Sequence, residues 1–211
     1  MKILNLYSGI GGNRKNWGDD HDITAIENNP EIAKIYQDFF PNDKMIVTDA
    51  HQYLLEHFKE YDFIWSSPPC PSHSSIRFLM VGKKQHGAIY PDIKLYEEIL
   101  FLKYYFKGKW VVENVKPYYD PLIKPSVIID RHLFWCNFYI KKCDSKKEKN
   151  IRYVNASDSR YGFNLKEVKI NHRKDQIIRN LVNPEIGLHI LNRALEITEA
   201  DKYGQSKLFE S

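Results

Sequence analysis

The sequence predicts an α/β domain built on a mainly parallel, twisted sheet flanked by helices. Short apolar runs alternate with helix-length segments along the chain, which is the order that βαβ units give. The run at Trp110-Val111-Val112 is apolar at consecutive positions, as a parallel strand covered on both faces requires. Glycines and carboxylates stand where successive runs end, at Gly9, Gly11, Glu27, Asp49 and Glu113. That is the edge at which such sheets hold ligands.

Lys2 to Tyr7 reads as the first strand, and it leads into Ser8-Gly9-Ile10-Gly11-Gly12, where glycine permits a sharp turn and close approach to a ligand. Asp22 to Glu27 is the second strand, and Asn29-Pro30 opens a helix through Ala33, Ile35 and Tyr36. Met45 to Thr48 is the third, with Asp49 at its end and a helix from Ala50 to Phe58 behind it. Asp62 to Trp65 is the fourth and runs into Ser66-Ser67-Pro68-Pro69-Cys70-Pro71-Ser72-His73-Ser74-Ser75. Ile76 to Tyr90 has no period and reads as a mobile loop, and Pro91 to Phe106 is a helix whose apolar positions run from Ile93 and Leu95 through Ile99, Leu100 and Leu102. Trp110 to Val115 is the fifth strand and carries Glu113 and Asn114 at its end. Ser126 to Ile129 and Leu133 to Tyr139 are strands around Arg131 and His132. From Asn171 the chain is polar and helical, and Asn183-Pro184-Glu185 starts a last helix with Ile186, Leu188, Ile190, Leu191, Ala194, Leu195 and Ile197 as its apolar positions.

The 211 residues fit one domain over residues 1–200 and a frayed tail over 201–211. A net charge of +4 is compatible with a polyanionic partner without demanding one. Cys70, Cys136 and Cys143 form an odd set with no C-x-x-C spacing, which indicates neither a disulfide framework nor a metal site and suits a reducing cytoplasm. The N-terminal apolar run is too short and too polar for a signal peptide, and no stretch approaches a membrane span.

Three prolines around Cys70 fix φ at three positions and remove three amide donors, so the loop can hold one shape outside helix or sheet. The same spelling also fits a proline-rich surface turn with an inert thiol. Paired with Glu113, Cys70 suggests covalent catalysis by a thiolate and a carboxylic acid. A cysteine-protease reading would need His73 as partner, and no residue is identifiable as its orienter. Glu27 after a glycine turn fits a ribose-binding acid and equally a solvated strand end. Five lysines in Lys141 to Asn150 fit a solvated turn or a phosphate-facing loop.

Asn5 to Gly12, Glu27, Asp49, Pro68-Pro69-Cys70 with Ser72 and Ser74, and Glu113-Asn114-Val115 resemble, in order, the motifs of the S-adenosylmethionine-dependent cytosine-C5 DNA methyltransferases. Arg131 to Trp135 resembles the arginine-bearing strand of that family, and Asn183-Pro184-Glu185 with Gly187 its last motif. The resemblance implies a Rossmann-like class I methyltransferase fold, S-adenosyl-L-methionine as cofactor with S-adenosyl-L-homocysteine as product, and duplex DNA with a flipped-out cytosine as partner. It implies Tyr7, Ser8, Gly9, Gly11, Gly12, Glu27, Asn28, Asp49, Pro69 and Asn183 as cofactor residues, with Tyr7 and Asp49 near the adenine and Glu27 on the ribose. It implies Cys70 as the nucleophile at C6, Glu113 on N3 and the exocyclic amine, Asn114 supporting the Pro68-Pro69-Cys70 turn, and Arg131 on the base O2. The family usually has Asp at Asn5, Gln at Pro71 and a second arginine beside Arg131.

Only residues 137–179 are available for a target-recognition region, which leads us to expect a short or relaxed recognition site, or one completed by a second subunit. The Pro68-Pro69-Cys70 spelling also resembles the branch of the family that methylates a tRNA cytosine, and a non-catalytic nucleic-acid-binding relic is a third reading. Gln205-Ser206-Lys207-Leu208-Phe209 resembles peptides that dock on bacterial sliding clamps through Gln205, Leu208 and Phe209, and also fits a disordered tail. The expected setting is the cytoplasm of a bacterial or phage-infected cell, with no membrane partner.

Overall fold

A computed structural model of the chain describes residues 1–69, 71–74, 87–141 and 160–195. Seven strands form one sheet in the order β3-β2-β1-β4-β5-β7-β6. They are β1 (Lys2–Leu6), β2 (Asp22–Glu27), β3 (Lys44–Val47), β4 (Phe63–Ser66), β5 (Lys109–Val115), β6 (Val127–Ile129) and β7 (His132–Cys136). The first five run parallel, and β7 pairs antiparallel with both β5 and β6. The mainly parallel sheet read from the sequence is therefore present, and among the described residues its one reversed strand is β7, entered through the turn that carries Arg131.

Two apolar layers cover the sheet, and strand alternation decides which side chain joins which layer. Ile3, Phe63, Trp65, Val111 and Phe134 pack on one face against Trp17 and against Ile186, Ile190 and Leu191 of the helix over residues 184–195. Leu4, Leu6, Ile64, Val112 and Trp135 pack on the other against helices α2 (Ala50–His57) and α3 (Lys94–Tyr105). A third cluster, Ile10, Ile35, Phe163, Leu165, Ile177, Ile178 and Leu181, seats helix α4 (Lys174–Arg179) over the glycine turn and α1 (Pro30–Phe39).

Local chemistry sets the boundaries. Asn29 caps α1 by accepting from Glu31 and Ile32 N–H, with Pro30 at the first helical position. The helix expected from Pro91 starts at Lys94, because Asp92 N–H donates to Ser72 Oγ at 3.0 Å and its side chain accepts from Lys94 N–H. Within α3, Leu95, Tyr96, Ile99 and Leu102 are buried as the period requires, whereas Ile93 and Leu100 face out. β7 stops at Cys136 and not at Tyr139, since the Asn137 side chain takes over the ladder, accepting from Trp110 N–H and donating to the Gly108 carbonyl. No helix among the described residues is long and apolar enough to cross a membrane. Most of the loop after Ser74, the lysine-rich stretch from residue 142 with Cys143, and the tail with Gln205, Leu208 and Phe209 lie outside the described residues.

Gly187 shows how tightly the last helix seats. A Cβ there would lie 2.2 Å from the Asn13 carbonyl oxygen, which belongs to backbone just after the glycine turn. Gly187→Ala is expected to lower stability by about 1–3 kcal/mol through forced displacement of this helix, read as a lower midpoint in urea unfolding at unchanged slope.

Candidate active site

The parallel register brings the ends of β1, β2, β4 and β5 to one edge, and the chain leaving them walls a cavity of about 320 Å³. One half is built by the glycine turn. Tyr7 and Gly9 both have φ near +54°, Gly11 has φ +85°, and Gly11 N–H closes on the Ser8 carbonyl at 2.9 Å. The left-handed backbone at Tyr7 is unfavourable for a side chain with a Cβ. It is held because Tyr7 Oη donates to Glu98 Oε1 at 2.6 Å, and burial, reinforced by this carboxylate, pushes the phenol pKa upward.

The three glycines do different work. A Cβ on Gly9 would meet nothing within 4 Å, one on Gly11 would lie 2.3 Å from the Phe40 ring, and one on Gly12 would lie 2.7 Å from the Val182 carbonyl. Gly9 and Gly12 line the cavity. Gly11, expected to contact the cofactor, lets the turn pack on α1 and does not line it.

Glu27 is 9% exposed at the end of β2. Its Oε2 accepts from Gly9 N–H at 3.1 Å and its Oε1 from Asn29 N–H at 3.0 Å. Burial raises its pKa, and these amides pull it back. Tyr7, Ser8, Asn28 and Pro69 join it in the lining. Asp49 and Asn183 do not: Asp49 is exposed and caps α2 by accepting from Gln52 N–H at 2.8 Å, and Asn183 caps the last helix by accepting from Glu185 N–H at 2.9 Å. Both are helix caps, although the resemblance implied cofactor contacts.

The other half of the cavity is built by β4, β5 and the β6–β7 turn. Asn114 Nδ2 donates to the Pro68 carbonyl at 3.0 Å, which ties the end of β5 to the loop after β4. Cys70 lies outside the described residues, while Pro68 and Pro69, which precede it in the sequence, line the cavity. Glu113 is 6% exposed, and burial pushes its pKa up to about 7 against the opposing pull of a Ser67 hydrogen bond and the Arg131 charge. Arg131 lines the same wall, with Nη2 donating to the Arg179 carbonyl at the end of α4 at 2.7 Å. A cation against the C-terminal carbonyls of a helix is favourable, so at least one arm of this guanidinium fastens α4 over the site.

Residues 1–118 match C-5 cytosine-specific DNA methylases. The chain belongs to that family. Among curated proteins, the tRNA (cytosine(38)-C(5))-methyltransferase of Spodoptera frugiperda is 27% identical over 144 residues, covering 65% of this chain and 41% of that protein. The chain thus spans well under half the length of this relative. Methyltransferase EhMeth of Entamoeba histolytica, 11% identical, superposes over 94% of this chain and 98% of its own with a TM-score of 0.51, and shares the fold. A mutant of Spodoptera frugiperda DNMT2 is 26% identical over 55% of this chain and 35% of its own, with a TM-score of 0.38. The fold is the Rossmann-like one of class I methyltransferases.

The family's cofactor is S-adenosyl-L-methionine, and the residues present fit it. Glu27 holds two carboxylate oxygens at a strand end, and among the described residues Ser8 Oγ is buried without a hydrogen-bond partner and open space lies over Gly9. A nucleoside diol and a charged amino-acid chain need such groups.

Sequence reading missed several residues of this site. Glu98 is buried on the apolar face of α3, and a carboxylate spaced with Leu95, Ile99 and Leu102 is a legible signal of it. It also accepts from Ser66 Oγ at 2.5 Å and pairs with His51 Nδ1 at 2.9 Å. His172, Gln176 and Asn180 line the cavity from the α4 segment with no signal beyond polarity.

The Glu113 environment makes stability depend on pH. Its folded pKa lies above its ordinary 4.5, so between pH 4.5 and about 7 the folded state holds a proton that the unfolded state has released, and stability falls as pH rises. Glu113→Gln removes that dependence. Urea unfolding of the two proteins at pH 5 and pH 8 is expected to favour the variant by about 3 kcal/mol more at pH 8 than at pH 5. The drop in His132 pKa to about 3 acts below pH 6.5 and is common to both proteins.

Proposed function

We propose that this chain transfers a methyl group from S-adenosyl-L-methionine to C5 of cytosine in nucleic acid, with duplex DNA as the substrate and Cys70 and Glu113 as the reacting pair. The observation that carries the proposal is that Glu113, with its pKa raised to about 7, shares one cavity with Glu27 and the glycine turn. An acid able to protonate a base and a place for a nucleoside cofactor thus face the same space.

Bound S-adenosyl-L-methionine supplies an electrophilic methyl on a sulfonium. The carbon at C5 of an aromatic ring is a poor nucleophile until conjugation is broken, and the residues of the chain break it. Glu113 gives its proton to N3 and accepts from the exocyclic amine, while the Cys70 thiolate adds to C6. The electron pair then resides on the enamine, whose C5 would take the methyl as the sulfur–methyl bond breaks and S-adenosyl-L-homocysteine leaves. Loss of the C5 proton to solvent and expulsion of the thiolate restore the double bond, and the N3 proton returns to Glu113. Asn114 holds the loop that precedes Cys70 through the Pro68 carbonyl, and Arg131 adds positive charge to the wall that meets the base O2. The target must leave its stack to enter, at a cost of a few kcal/mol.

RNA is the second reading, favoured by the tRNA-modifying relative. Tritium transfer from labelled cofactor to duplex DNA, with bulk tRNA in parallel, separates the two. Label in 5-methylcytosine of the DNA is expected, and label only in tRNA overturns the choice of substrate. Label in neither overturns the chemistry and leaves the relic. Cys70→Ser is expected to abolish the covalent adduct formed with 5-fluorocytosine DNA. Glu113→Gln is expected to slow transfer by about 10²–10⁴-fold. Sequencing methylated plasmid for 5-methylcytosine context tests the short recognition site, which a strict six-base target would contradict. Docking of the Gln205 to Phe209 segment on a sliding clamp is a separate proposal, tested by pull-down with the chain intact and truncated after Gly204.

A further inference from the structure

The β5–β7 ladder sets a second titratable side chain against Glu113. Glu113 pairs with Phe134 and Val115 with His132, so Glu113 and His132 are diagonal neighbours on one face of the sheet. His132 is 2% exposed, lines the same cavity, and holds Nε2 at 3.7 Å from Glu113 Oε1. That separation is too long for a hydrogen bond, so both atoms keep their capacity for a third group placed between them.

The imidazole is neutral, since burial and the Arg131 charge push its pKa down to about 3. It therefore carries one N–H and one lone pair. Nδ1 is buried and has no hydrogen-bond partner among the described residues. An N–H stranded in that position is costly, whereas a hydrogen on Nε2 points to the space shared with Glu113.

A cytosine edge presents a carbonyl, a ring nitrogen and an amine side by side. Protonated Glu113 offers one donor and one acceptor, which satisfy the ring nitrogen and the amine. The carbonyl next to them has two lone pairs: Arg131, anchored by Nη2 on the Arg179 carbonyl, brings charge to its side of the wall, and a second donor beside it completes the set. We propose that His132 is a further substrate-reading residue, donating from Nε2–H to the ring carbonyl beside the nitrogen that Glu113 holds. This inference rests on the cytosine chemistry proposed above and adds a residue to its base pocket.

Three substitutions separate a contact at Nε2 from a merely structural role. His132→Gln can put an amide nitrogen near the position of Nε2, His132→Asn near that of Nδ1, and His132→Leu supplies neither. Binding of S-adenosyl-L-homocysteine by calorimetry reports on folding and on the other half of the cavity, and kcat and KM are measured on whichever nucleic acid the unsubstituted protein methylates. The Leu and Asn variants are expected to lose about tenfold or more in kcat/KM while Gln stays within about threefold, with product binding unchanged in all three. Leu and Asn variants as active as the parent, or a Gln variant as impaired as Asn, would overturn the role of His132 and leave the cytosine chemistry standing. An unsubstituted protein that methylates neither DNA nor RNA would instead remove the chemistry, and this inference with it.

Discussion

Burial of the Glu113 carboxyl is the constraint on which the rest of the site turns. A carboxylate removed from water at the end of a central strand is strongly disfavoured unless something compensates the charge. Here the compensation is incomplete: one hydrogen bond from Ser67 and the field of Arg131 leave the pKa near 7. His132, a titratable neighbour 3.7 Å away, contributes no charge, because the same burial that raises Glu113 lowers it. The wall therefore holds a carboxyl that titrates near pH 7 and a neutral imidazole next to an arginine, a combination suited to protonating a base.

The sheet places that acid without strain, whereas the cofactor side stores some. Parallel pairing of β1 with β4 and of β4 with β5 fixes the strand ends relative to one another, and the Asn114 bond to Pro68 carries the alignment into the loop. On the other side the chain turns through left-handed backbone at Tyr7, a conformation of order 1–3 kcal/mol above the ordinary one. Glu98 offsets it by collecting hydrogen bonds from Tyr7 and Ser66 and pairing with His51, so that β1, β4, α2 and α3 meet on one buried carboxylate. A carboxylate within an apolar helix face thereby holds the shape of the glycine turn without lining the cavity itself.

What could be read beforehand followed from local rules. Consecutive apolar residues at Trp110-Val111-Val112 signalled a strand covered on both faces, and Asn29-Pro30 signalled a helix start. The positions of Glu27 and Glu113 at strand ends needed only that parallel order. What could not be read depended on register or on long-range partners. His132 looked like one more residue of an arginine-bearing strand until its diagonal to Glu113 was known. Asp49 and Asn183 satisfy a motif and also a helix cap, and in this structure one oxygen of each side chain serves the cap. Gly11 reads the same as Gly9 in sequence, although one faces the Phe40 ring and the other faces the cavity.

The protonation state of Glu113 can be observed directly. Carbon NMR of protein labelled at the glutamate carboxyl carbons, with Glu113→Gln to assign the resonance, gives the titration midpoint of that group in the folded chain. A midpoint near 7 is the expected result, and a midpoint at the ordinary 4.5 would mean that the carboxyl is hydrated and charged, which contradicts the account of the site.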